Sequence, residues 1–250
     1  MALIDKEVFV CFDLETTGLD PVKDQIIELA AVRFSFEQVF ESYETLIDPC
    51  CSIPDESIEI HHITNEMVIG KPLIQNVLPQ LLKFIGAGII VGHGISLDVA
   101  FLIENAKRHS IPCNLQQNKL IDTLRLARLY GESPHNSLEK LREHFNIEAE
   151  GAHRAMNDVI VNIDVFKFLS KQFKTTEQIF DRLKSPILLK AMPLGKHKGR
   201  PFSEIPIEYL QWVAHKDFDQ DLLFSVRSEI KRRRKGQGFA QAGNPFASLL

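Results

Sequence analysis

Hydrophobic positions in this chain form short runs of strand length, alternating imperfectly, over roughly the first fifty residues and fall at helical spacing over much of the remainder. The apolar run Val8–Phe12 leads into Asp13-Leu14-Glu15-Thr16-Thr17-Gly18. A second run, Gln25 to Phe34, is rich in Ile, Leu, Val and Ala, as a central strand would be. Ser42–Ile47 reads as a third strand, broken by Asp48-Pro49. Three strands joined by short connections predict an antiparallel meander. Thr64 then reads as the cap of a short helix. Leu73–Ile85 carries Val77, Leu78, Leu81, Leu82, Phe84 and Ile85 at helical spacing and ends at Gly86. A fourth strand, Ile89–His93, leads into a helix from Leu97 to about His109 with Ser96 as its cap. A fifth, Lys119–Thr123, leads into a helix around Leu124–Tyr130. Ser137 opens another helix, and Ala155–Phe173 is a strong one, with Met156, Val159, Ile160, Ile163, Phe166 and Leu169 on one stripe. A meander followed by alternating strand and helix predicts an α/β domain, a mixed sheet with helices on its faces.

Composition places this pattern in an ordinary globular protein: 250 residues, 44% hydrophobic and 25% charged. No apolar run approaches the ~20 residues of a membrane span, so no membrane partner is expected. The first residues lack the basic start and apolar core of a signal peptide. Cys11, Cys50, Cys51 and Cys113 show no Cys-x-x-Cys spacing, which predicts reduced thiols and a cytoplasmic protein. Charge is uneven. Residues 190–235 hold eleven Lys and Arg against six Asp and Glu, while the chain as a whole is at −4. An acidic body with a basic appendage suits a body that binds cations and an appendage that meets a polyanion.

The candidate chemistry begins at the first strand. Side chains alternate along a strand, so Asp13 and Glu15 share a face, about 6–7 Å apart. Asp98 falls in the first turn of the helix after the fourth strand. Asp158 falls in the first turn of the long helix, five residues after His153. Strand ends and helix starts in such sheets share one crevice. Acids near helix starts also serve as simple dipole partners, and that reading stays open for Asp98 and Asp158 taken singly. Four carboxylates meeting there would repel unless divalent cations neutralised them, and hard oxygen ligands favour Mg²⁺ or Mn²⁺.

Phe12-Asp13-Leu14-Glu15-Thr16-Thr17-Gly18-Leu19 resembles the first motif of the DEDDh-type 3′→5′ exonucleases, which carry four acids and a histidine. Val91–Leu102, with His93 and Asp98, resembles the second. Gly151–Asp158, with its His-x-x-x-x-Asp spacing, resembles the third. His62-Ile63-Thr64, Asp122-Thr123 and Asn136-Ser137-Leu138 fall in the order of the weaker landmarks. The likeness spans about residues 7–170 and is nearest to proofreading epsilon-type subunits and exonuclease X-like enzymes. It implies a ribonuclease H-like mixed sheet with flanking helices and hydrolysis with two Mg²⁺ or Mn²⁺ ions. It also implies that Asp13 bridges both metals, that Glu15 and Asp158 complete the nucleophile-side site, that Asp98 holds the other, and that His153 is the general base. Leu14, Thr16, Thr17, Leu19 and His93 would contact the terminal nucleotide. Gly94 and Leu97 depart from the Asn and Phe of many relatives, which opens the substrate preference.

Beyond this body, residues 175–189 read as a linker, 190–235 as a small C-terminal α+β module resembling that of exonuclease X-like proteins, and 236–250 as a disordered tail. The exonuclease domain is thus 1–174. Within the module, Met192–Phe202 predicts a hairpin with a basic turn, Pro206 a helix start, and Gln220–Lys235 a last helix. Lys196, Lys198, Arg200, Arg232 and Arg233 are candidate nucleic-acid contacts. The leading functional expectation is a metal-dependent exonuclease on single-stranded or frayed DNA 3′ ends, in proofreading or repair. A DNA polymerase catalytic subunit or a sliding clamp is a candidate partner. An exoribonuclease of the same fold, and a replisome subunit acting mainly through protein binding, are the alternatives.

Overall fold

The computed structural model describes residues 3–133, 135–148, 154–216 and 218–242, the last seven of these by their backbone only. Five strands form one sheet in the order β3-β2-β1-β4-β5. β1 (Phe9–Thr16) runs antiparallel to β2 (Ile26–Phe34), which pairs antiparallel with the edge strand β3 (Val39–Leu46). On its other side β1 pairs in parallel with β4 (Ile89–Gly92), and β4 with β5 (Leu120–Asp122). The helices between and after them are α1 (Asp55–His61), α2 (Asn65–Val68), α3 (Ile74–Ile85), α4 (Ser96–Arg108), α5 (Thr123–Tyr130), α6 (Leu138–His144), α7 (Ala155–Ser170) and α8 (Thr176–Leu183). The mixed sheet with flanking helices is the architecture that the hydrophobic periods predict.

The alternation along β1 divides the core in two. Phe9 and Cys11 face α7, where Val159, Ile163 and Phe166 pack on them, and the Phe9 and Phe166 rings meet edge-on at 5.1 Å. Val10, Phe12 and Leu14 face Leu78 and Leu81 of α3 and Val99 and Leu102 of α4. A sheet covered on both faces accounts for the nearly continuous apolar character of β2, buried at every position but Arg33.

Several boundaries differ from the sequence expectation, for local reasons. Ser96 lies inside α4, whose N-cap is Ile95, and Thr64 and Ser137 occupy N-caps without a side-chain bond. The cap that works is Asp122, whose carboxylate accepts the N–H groups of Leu124 and Arg125 at the start of α5. α1 has no counterpart in the hydrophobic pattern because it is short and polar, burying only His61 before the chain turns left-handed at His62 (φ 59°).

The chain divides into two compact units between Leu183 and Lys184. α8 is the short helix that the connection's Thr175-Thr176 predicts, but it belongs to the first unit rather than to a linker, since Ile179 and Leu183 are buried in the core with α7. The second unit contains α9 (Ile207–Ala214) and α10 (Gln220–Ala242), packed through Met192, Phe202, Leu210, Val213, Leu222, Val226 and Ile230. Its expected hairpin is reduced to one bridge, Ala191 with Pro201, and a single 3-10 turn at Gly195–His197. Among the described residues the module is thus helical rather than α+β. α10 continues to Ala242, so residues 236–242 are helical rather than part of a disordered tail, and residues 243–250 lie outside the described residues. No helix of the described residues is long and apolar enough to cross a membrane.

Candidate active site

β1 outlasts its parallel neighbour. Its pairing with β4 stops at Cys11 opposite Val91, whereas its pairing with β2 continues to Thr16. Asp13 and Glu15, on the face of Phe9 and Cys11, therefore emerge beyond the end of β4, in the crevice where ligands of such sheets bind. α7 begins over this face and brings Asp158 in its first turn. Asp13, Glu15 and Asp158 each offer an oxygen, all within 4.8 Å of one another. Asp98 arrives from the other face, in the first turn of α4, and its carboxylate accepts the backbone N–H of Leu14, between the two β1 acids. Three acids from two elements meet within 4.8 Å, with Asp98 of a third element beside them.

The electrostatics result from that crowding. Burial, then Asp98, then Glu15 and Asp158 hold the Asp13 carboxyl well above the usual range. Burial and the neighbouring Asp158 push Glu15 up to about 8. Burial pushes Asp98 up to about 7, against the two backbone N–H groups it accepts. A half-buried set of oxygen donors that holds its protons this tightly fits divalent cations, which replace protons as the neutralising charge. Each shifted acid binds its proton more tightly folded than unfolded, so the penalty is absent below about pH 4, grows as pH rises, and is complete for Asp98 and Glu15 once pH passes about 7 and about 8. The metal-free protein is accordingly expected to lose thermal stability as pH rises from 5 to 8, and Mn²⁺ is expected to raise the melting temperature more at pH 8 than at pH 5. A melting temperature independent of both, measured by calorimetry in EDTA and in Mn²⁺, would contradict the cation site.

The neighbouring contacts fix α7 and α4. Glu28, opposite Glu15 across the strand pair, is buried and takes Arg154 in a forked ion pair, Nε at 3.0 Å and Nη2 at 2.6 Å, plus the N–H of Ala155 at 3.0 Å. It thereby pins the first turn of α7 and with it Asp158. Sequence reasoning misses Glu28; the one signal for it is a single acid inside the otherwise apolar run Ile26–Val32. Beneath the acids a polar chain joins four elements: His93 Nδ1 to Thr123 Oγ1 (3.1 Å), Thr123 Oγ1 to Asn162 Oδ1 (2.6 Å), and Asn162 Nδ2 to Cys11 Sγ (3.4 Å). Burial pushes His93 down to about 4, so it is neutral at pH 7. Asp122 also accepts the N–H of Gly94 at 3.0 Å. Gly94 is left-handed (φ 72°), a conformation that Gly and Asn both tolerate, so its departure from the family's Asn removes an amide without asking for a different backbone.

The residues expected at the terminal nucleotide are placed differently from one another. Leu19 is 80% exposed at the loop tip after β1. Thr16 donates its hydroxyl to the Gly18 carbonyl at 2.6 Å. Thr17 is buried, its N–H and hydroxyl both engaged with the Gln25 backbone, and Leu14 lies in the core. His153 lies outside the described residues. In the second unit Lys196, Lys198 and Arg200 are exposed, whereas Arg232 and Arg233 are both ion-paired to Glu229.

Residues 10–166 match the family model described as exonuclease, and residues 182–226 match one described as a putative quorum-sensing-regulated virulence factor. The chain is 36% identical over 159 residues to the DNA polymerase III subunit epsilon of Aquifex aeolicus, covering 63% of this chain and 78% of that one. It is 34% identical over 193 residues to the PolC-type DNA polymerase III of Clostridium perfringens, covering 74% of this chain but 13% of that polymerase. Among solved structures, exonuclease X in complex with 5′ overhanging duplex DNA superposes with a TM-score of 0.56 at 25% identity, covering 69% of this chain and 98% of that one. An exonuclease I structure shares the fold, with a TM-score of 0.61 at 23% identity over 71% of this chain and 43% of that one. The exonuclease model spans more than half of the chain and contains all four converging acids, so this protein belongs to the exonuclease family.

Proposed function

We propose that this protein is a metal-dependent 3′→5′ exonuclease that hydrolyses the last phosphodiester bond of single-stranded or frayed DNA 3′ ends and releases 5′-mononucleotides, in replication proofreading or repair. The observation that carries the reading is the meeting of Asp13, Glu15 and Asp158 within 4.8 Å, with Asp98 hydrogen-bonded beside them. Asp13, Glu15 and Asp158 would hold one Mg²⁺ or Mn²⁺ ion, and Asp98 with Asp13 would hold a second. Bound there, the ions would supply an activated water and charge stabilisation for the leaving 3′ oxygen. His153 would take the proton of that water as general base, a task that asks for a neutral imidazole near pH 7. Leu19, exposed at the loop tip, would wedge against the terminal base, and neutral His93 would line the crevice. The likeness to the Aquifex epsilon subunit and to a DNA-bound exonuclease X supports DNA as substrate and a DNA polymerase as partner.

The test is degradation of matched DNA and RNA oligonucleotides labelled at either end, with Mg²⁺, Mn²⁺ or EDTA. Mononucleotides are expected from the DNA 3′ end only with metal, and His153→Ala is expected to slow their release by about 10²–10⁴-fold, the usual contribution of a general base. Activity that survives EDTA would overturn the mechanism, and preferred cleavage of RNA would overturn the substrate.

A further inference from the structure

The basic run at the end of the second unit is sorted by its fold into two sets with different work. Glu229 lies one turn before Arg232 and Arg233 and holds both, at 2.8 and 2.7 Å. Arg233 also donates to the carbonyls of Phe202, Ser203 and Ile205, tying α10 to the turn before α9. Those two arginines hold the unit together. Arg227, Lys231 and Arg234 fall four and three residues apart on another face of the same helix, a row spanning about 10 Å. Lys231 and Arg234 make no ion pair among the described residues, and Arg227 makes only a 3.4 Å bond to the Ala214 carbonyl.

This row is one wall of a groove of about 430 Å³, whose other wall is Gln211, Ala214 and His215 of α9 and whose floor is Ile230. No acid lines the groove among the described residues. Next to Gln211 in the chain, on α9 but outside the groove's lining, is Trp212, the chain's single tryptophan. The residue is 50% exposed and its ring leans on Tyr209 at 5.5 Å, with the Lys216 ammonium 5.4 Å from the ring. A row of unpaired cations along a groove, flanked by an aromatic face, is the combination that takes single-stranded nucleic acid: cations track the phosphates and the ring stacks on a base.

We propose that the α9–α10 groove is a single-stranded DNA site, with Arg227, Lys231 and Arg234 on successive phosphates and Trp212 stacked on a base. The choice of DNA rests on the exonuclease reading, while the site stands on its own residues and does not use the four acids. Because Trp212 is the only tryptophan, the chain's indole fluorescence reports the α9 helix that carries one wall of this groove. In the full chain with EDTA, an oligodeoxythymidylate is expected to quench that fluorescence, and Asp13→Asn is expected to leave the quenching in place. Lys231→Gln with Arg234→Gln is expected to weaken binding about tenfold or more and to lower the salt slope by about 1.4, at ~0.7 per phosphate on a single strand. Arg232→Gln, which loses a paired cation, is expected to change the slope far less. Trp212→Ala is expected to weaken binding of a labelled oligonucleotide about tenfold. Release of the terminal nucleotide from a trinucleotide should be unchanged in all these groove variants, which also reports that they fold. Absence of quenching, quenching indifferent to Lys231 and Arg234, tighter binding to matched RNA, or a spectral response only to anionic phosphatidylglycerol vesicles would each overturn the proposal. Loss of nuclease activity in Asp13→Asn with quenching intact separates this site from the catalytic one.

Discussion

An Asp13→Asn variant is expected to lose at least about 10³-fold of exonuclease activity, about 4 kcal/mol of transition-state stabilisation, and yet to melt higher than the parent in EDTA. Both effects come from one carboxylate. Asp13 is the acid pressed by Asp98, Glu15 and Asp158 together, and its carboxyl is held well above the usual range by burial and by those three neighbours. As pH rises above about 4 the unfolded chain gives up its Asp protons far more readily than the metal-free fold gives up the proton of Asp13, so the penalty of the crowded carboxyl grows with pH. Asn keeps the volume and removes the charge. Relief of about 1 kcal/mol would raise the melting temperature by about 2–4 °C in a chain of this size. The gain should vanish toward pH 4, where the parent is protonated in both states, and should reverse in Mn²⁺, which binds the parent better. A variant that melts lower in EDTA at pH 8, or that keeps its activity, would show that Asp13 is held by something other than its crowded acids.

How much of the site is legible in the sequence depends on which physical signal each residue leaves. Asp13 and Glu15 are legible because a polar pair at spacing two interrupts a buried strand, and Asp98 and Asp158 because both fall in the first turn of a helix. The fold is legible in the change of hydrophobic period. What the pattern cannot carry is pairing across the chain. Glu28 looks like a single blemish in β2 until the register sets it opposite Glu15 and under Arg154. Asp122 reads as a strand residue, and only the close approach of two loops makes it both the cap of α5 and the acceptor for Gly94. In Lys231–Lys235 the five cations look alike as a run. Their division depends on which side of α10 each one faces, and the one clue in the sequence is Glu229, three and four residues before Arg232 and Arg233.

Removing Arg154 should cost more than removing its partner. The guanidinium is 45% exposed and can fall back on water, whereas Glu28 is 8% exposed and cannot. In Arg154→Met the Glu28 carboxylate keeps only the Ala155 N–H, beside Glu15 and Asp158, and the site also loses the one cation that opposes the upward shift of Glu15. Breaking a buried pair from the cationic side typically costs about 3–5 kcal/mol, and the half-exposed position argues for the lower end. At about 2–4 °C per kcal/mol the melting temperature should fall by about 6–12 °C. Glu28→Gln alone leaves a neutral amide that still accepts the Ala155 N–H, so its loss should be smaller. The double variant Glu28→Gln, Arg154→Met should recover much of what Arg154→Met loses, because no buried charge is left alone. Catalysis should take a different order. Both single variants and the double loosen the first turn of α7 that places Asp158, so kcat should drop in all three even where stability returns. Additive melting losses in the double variant would mean that Glu28 and Arg154 act separately, and an unchanged kcat would mean that α7 keeps Asp158 in place without them.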